Sequence, residues 1–116
     1  MDRSYTIVWL GLKHLLSDVE ERDHVKRRSH ELIDAASRSG LGWYSDAFDT
    51  DEIEGDLHWL LVGKNLGMLG FKEGVGQLQL DPSELVREYE EMVAKLRSAG
   101  VSEHPALHIL YHFEGD

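Results

Sequence analysis

There is no cysteine in this chain. That excludes disulfides, thiolate metal sites and thiol catalysis. It fits a reducing compartment, and the expected location is cytoplasmic. No apolar run approaches the roughly 18–20 residues of a membrane span. The opening run MDRSYTIVWLGL is short and is not followed by a small-residue cleavage pattern, so it does not read as a signal peptide. Basic residues are scarce, with 12 Lys and Arg against 22 Asp and Glu and a formal net charge of −10. Binding to nucleic acid or to an anionic membrane is driven by Lys and Arg, so neither partner is expected. The charge suits solubility, a cation, a basic partner or a salt-adapted host.

Motifs that would name a reaction are missing too. There is no H-E-x-x-H and no G-x-S-x-G. Gly74-Val75-Gly76 opens like a dinucleotide fingerprint, but Gln79 stands where the third glycine belongs. Gly63-Lys64-Asn65 lacks the hydroxyl of a phosphate loop. These glycines read as turn residues. Lys26-Arg27-Arg28 would fan over about 200° of a helix and makes no coherent patch. The expectation is a protein that acts by binding rather than catalysis, without a cofactor.

What is present reads as one domain over residues 1–116, with 41% hydrophobic residues and no repeat or linker. Two helix starts stand out. Ser17-Asp18-Val19-Glu20 is a capping box. It predicts a helix over about 18–39, with Val25, Ser29, Leu32, Ile33 and Ala36 on one stripe and Gly40 as its stop. Asp81-Pro82-Ser83-Glu84 predicts a second helix over 82–99, with Leu85, Val86, Tyr89, Met92, Val93 and Leu96 as its apolar stripe and Gly100 as its end. Strands are predicted at 6–12, 41–48, 57–63 and 106–113, with a short extra one, GQLQL, before the second helix. Residues 5–19 also fit a helix, through Tyr5, Val8, Trp9, Leu12, Leu15, Leu16 and Val19. Thr6, Ile7, Val8 and Trp9 favour the strand. The resulting order β-α-β-β-α-β predicts an α+β fold of the ferredoxin-like kind, with an antiparallel sheet and two helices on one face.

Two candidate sites follow. The stretch DAFDTDEIEGD carries Asp46, Asp49, Asp51, Glu52, Glu54 and Asp56 and no basic group. As an EF-hand it fails, because Ile53 and Glu54 fall where an acid and a glycine are needed. It reads first as a solvated turn, second as a surface for a basic protein such as an inhibitor or adaptor would engage, and third as a loose hard-cation site. Trp43, Tyr44 and Phe48 would be the apolar anchors beside it.

Histidine is abundant, with seven residues. His108 and His112 lie on one predicted strand, two pleats or roughly 13 Å apart, too far to share an ion, and no metal is expected. If Trp59 faces the helices, the uncovered sheet face carries His58, Leu60, Val62, His108, Leu110 and His112. That face is too apolar for water, so a ligand or a second copy in a homo-oligomer is expected to cover it. A histidine-containing site there is the alternative to the acidic surface.

Overall fold

The computed structural model describes residues 3–17, 20, 28–45, 58–70 and 78–114. Among these residues are four strands and two helices, in the order β1 Arg3–Leu15, α1 Glu31–Ser39, β2 Gly42–Ser45, β3 Trp59–Leu69, α2 Pro82–Ser98 and β4 Ala106–Glu114. The strands form one antiparallel sheet in the order β2-β3-β1-β4. The fold is α+β, and none of its described helices is long and apolar enough to cross a membrane.

β1 is a strand throughout, which removes the helical alternative for its part of the N-terminus. Its β-branched and aromatic residues fit a pleated interior, and both its edges are paired, to β3 and β4. Alternation then sorts its side chains. Leu10 and Leu12 join Leu60 and Val62 of β3, Leu32, Ile33 and Ala36 of α1, and Met92 and Leu96 of α2 in the main core. Tyr5, Ile7 and Trp9 join Leu61 in a second cluster on the opposite face, with Tyr44, Trp59 and Leu110 packed against it. Each fully buried apolar side chain of this size contributes about 1.5–3 kcal/mol.

This corrects the assignment of Leu60 and Val62 to an uncovered face. Leu12 stands opposite Val62 in the β1–β3 ladder, so Val62 and Leu60 point at the helices while Trp59 and Leu61 point away. A period of two makes one wrong choice of face carry over to every residue of the strand.

The register also lines up Gly42, Gly63, Gly11 and Ala106 across the four strands. A Cβ on Gly11 would lie 2.0 Å from the carbonyl oxygen of Val62, and one on Gly63 would lie 2.2 Å from that of Leu10. Both glycines have positive φ, 152° and 142°, so the close approach of β1 and β3 requires them.

The helices partly match their predicted spans. α2 begins and ends where the sequence places it. α1 is shorter than the predicted 18–39: Arg28 has φ 58° and His30 is extended, so the helix starts afresh at Glu31. Residues 18–19 and 21–27 lie outside the described residues. Gly40, at φ 74°, stops α1 as expected. β3 runs on to Leu69, through glycines that read as turns, and residues 78–80 of the predicted extra strand are not a strand.

Candidate functional site: a carboxylate between two histidines

Three side chains meet where β1 leaves the sheet and α1 begins. His14, near the end of β1, stands opposite Leu60 and therefore on the helix face. The chain leaving β1 is anchored by Leu16, whose N–H donates to the carbonyl of His58 at 2.7 Å. Ser17 and Glu20 then form the reciprocal pair that the sequence announced. The Glu20 N–H donates to Ser17 Oγ at 3.1 Å and the Ser17 N–H donates to Glu20 Oε1 at 3.3 Å. This fixes the backbone and one carboxylate oxygen of Glu20. The other oxygen, Oε2, lies 2.8 Å from His14 Nε2 and 2.7 Å from His30 Nε2. The two imidazole rings are 5.3 Å apart.

His30 is also the N-cap of α1. Its Nδ1 accepts from the N–H of Leu32 at 3.1 Å. A ring nitrogen that accepts carries no hydrogen, so the neutral ring bears its proton on Nε2 and donates it to Glu20. The helix cap therefore sets the tautomer of a histidine in the cluster. His30 is nearly fully buried, its side chain 6% exposed, whereas His14 and Glu20 keep about a third of theirs in solvent, 34% and 30%. Among the described residues, Nδ1 of His14 has no protein partner.

The hydrogen bond from His30 is the main reason that the Glu20 carboxyl is held down, from its ordinary value of 4.5 to about 2. The bonds from His14 and from the Ser17 backbone, and the nearness of His14, act the same way; partial burial opposes them. Glu20 is thus an anion at any physiological pH. A hollow of about 320 Å³ lined by Glu20, Ser29, His30 and Glu31 opens beside it.

Two imidazole nitrogens and one carboxylate oxygen within 4.8 Å of one another are a recognisable donor set for a divalent ion. Three protein ligands of the His₂Glu kind leave one position of a tetrahedral ion open. The distances of 2.7 and 2.8 Å are hydrogen-bond spacings. Ligands held at about 2.0–2.1 Å around one ion sit a little over 3 Å apart, so the cluster would open by about half an ångström to admit it.

None of these three was a candidate from the sequence. Their separations, six residues from His14 to Glu20 and ten from Glu20 to His30, match no helical ligand pattern, and Glu20 and His30 both fall inside the single helix that the sequence predicts over 18–39. The usable signal was the acid-rich first turn of α1, Glu31 and Asp34, which marks a second helix start just after His30.

The candidate residues that the structure describes are dispersed. Asp46, Asp49, Asp51, Glu52, Glu54 and Asp56 lie outside the described residues. His58 sits opposite Leu16, and His108 is paired with Trp9. Seven residues of strand separate those two points, roughly 23 Å, so His58 and His108 build no common site. His108 Nε2 instead lies 3.1 Å from the Gly11 carbonyl. Leu110 packs against the second cluster, and His112 pairs with Tyr5. No family model matches the chain, and no curated protein and no solved structure proved similar to it.

Proposed function

We propose that this is a divalent-cation-binding protein whose ligands are His14, Glu20 and His30, with zinc the ion best suited to the donors. The convergence of three donor atoms within 4.8 Å carries the reading. Support comes from the anionic state of Glu20 and from the hollow beside it, which leaves room for a water or a small ligand at the fourth position. The helix cap opposes the ion. A neutral imidazole bound through Nε2 must carry its proton on Nδ1, and Nδ1 of His30 is the acceptor for Leu32 N–H. Zinc therefore competes with the cap, and the affinity is moderated by about the 1 kcal/mol that a cap is typically worth. Calorimetric titration of chelator-treated protein should give one zinc per chain, lost in His14→Ala and in Glu20→Gln. A flat titration with wild type at micromolar zinc refutes the reading.

A second reading rests on charge. Six carboxylates in eleven residues, in a chain of net charge −10, suit an acidic surface that engages a basic protein. Association that does not slow with added salt would remove it. The finer architecture we read as ferredoxin-like, supported by the β-α-β-β-α-β order and by the central position of β1 and β3. A cytoplasmic location is supported by the lack of cysteine.

A further inference from the structure

The sheet ends in two unlike edges. β2 is described over four residues, Gly42–Ser45. β4 is nine residues long, and its ladder to β1 runs without a bulge from Arg3 opposite Glu114 to Gly11 opposite Ala106. In a chain that is 29% charged, residues 105–113 hold no Asp, Glu, Lys or Arg. The same is true of residues 4–12 in β1, which is paired on both sides. β4 thus has the composition of an interior strand at an edge position. On its helix side Leu107, Ile109 and Tyr111 are 41%, 67% and 68% exposed, because the described helices lie mainly over the other strands, α1 over β2 and β3 and α2 over β1.

We propose that β4 pairs with β4 of a second copy, antiparallel about a two-fold axis at Ile109, to make one continuous sheet. Among the described residues no strand pairs with the outer edge of β4; such an edge calls for a strand, and the pattern of the exposed residues identifies which one. Positions 107, 109 and 111 are symmetric about 109. The axis therefore sets Ile109 against Ile109 of the second copy and Leu107 against its Tyr111, covering all three exposed side chains with the same set. It also sets position 104, a histidine, opposite position 114, a glutamate, at both ends of the pairing. This contact is distinct from the sheet face and from the His14–Glu20–His30 cluster, and it stands whether or not that cluster binds an ion.

The absence of cysteine makes the test sharp. Residues directly opposite in an antiparallel pair have Cα atoms about 4.5–5.5 Å apart, inside the usual disulfide range of roughly 4.4–6.8 Å. Ile109→Cys should therefore cross-link into a covalent dimer under mild oxidation, while Glu31→Cys, at an exposed site away from β4, should not. Sedimentation of wild type at high micromolar concentration should give twice the chain mass. Ile109→Lys places two like charges opposite each other and should weaken the dimer about ten-fold or more, with circular dichroism and melting of the monomer unchanged. A wild type that stays monomeric overturns the proposal. So does a dimer that survives Ile109→Lys, or an Ile109→Cys chain that cross-links no faster than the control.

Discussion

The two helices begin with the same backbone problem and solve it with different residues. At α2, Asp81 is exposed and its Oδ1 accepts from the N–H of Ser83 at 2.9 Å and of Glu84 at 3.4 Å, with the Ser83 hydroxyl at 2.7 Å. These side-chain partners lie within three residues of it. At α1, His30 is buried, accepts from Leu32 N–H, and uses its other ring nitrogen to hold Glu20, which in turn holds His14 on the sheet. One cap is local and serves its helix alone. The other is a node joining β1, Glu20 and α1, and it is there that the chain gathers groups able to bind an ion.

The largest effect expected from breaking the comparison is at His30. His30→Ala removes a cap, normally worth about 1 kcal/mol, and a hydrogen bond to a charged group, normally about 1.5–3 kcal/mol. A loss of about 2–4 kcal/mol in urea unfolding is expected. His30→Asn separates the two parts, because asparagine caps well but does not reach Glu20. It should recover about 1 kcal/mol of the loss. If it recovers everything, the cluster adds nothing and His30 is a cap like any other.

Zinc sharpens the contrast. Because the ion and the cap compete for one ring, zinc should shift the Leu32 amide resonance strongly and leave those of Ser83 and Glu84 in place. Binding that leaves Leu32 unmoved would mean that His30 is not a ligand and that His14 and Glu20 hold the ion alone.

Acid gives a smaller and graded effect. Glu20 is held at about 2 from an ordinary value of 4.5. A carboxyl lowered on folding stabilises the folded chain above its unfolded value, and this stabilisation is lost as pH falls through the folded value. The Glu20 contribution should therefore be complete above about 4.5 and fade toward about 2. Unfolding followed from pH 6 to pH 2 in wild type and Glu20→Gln measures it. The two curves should converge at the acid end. Curves that stay parallel would show that Glu20 gains no stability from the histidines.

What the sequence reveals of this molecule follows the same division. Asp81, Pro82 and Gly100 announce α2 because caps and stops act over three or four residues. The strand character of β1 is legible in Thr6, Ile7, Val8 and Trp9. The reciprocal pair of Ser17 and Glu20 is legible as well, and it is present. It does not open the α1 seen at Glu31, since nothing in the local pattern foretells the left-handed turn at Arg28. The faces of β3 were misjudged because Trp59 and Val62 are both apolar, and only the pairing of Val62 with Leu12 decides between them. His14, Glu20 and His30 come from the end of β1, from the connection that follows it and from the start of α1. No window of the sequence contains that arrangement.

The smallest expected effect is at Asp81, and its smallness is itself the test of locality. The Ser83 hydroxyl and then the backbone N–H groups of Ser83 and Glu84 lower the Asp81 carboxyl below its ordinary value of 3.8. Its contribution is therefore lost only in strong acid, as pH falls below that value. Asp81→Ala should lower the melting temperature by a few degrees, the usual scale for a lost cap in a domain of this size. Asp81→Asn keeps the acceptor oxygen and should be nearly silent. Neither variant should alter zinc binding, because the side-chain hydrogen bonds of Asp81 run to Ser83 and Glu84 and to none of the three ligands. Combining Asp81→Ala with His30→Ala should give the sum of the two single losses, as distant sites without shared partners do. Measured non-additivity beyond about 0.5 kcal/mol would mean that the two helix starts communicate through the packed core, and that the division between a local cap and a node is wrong.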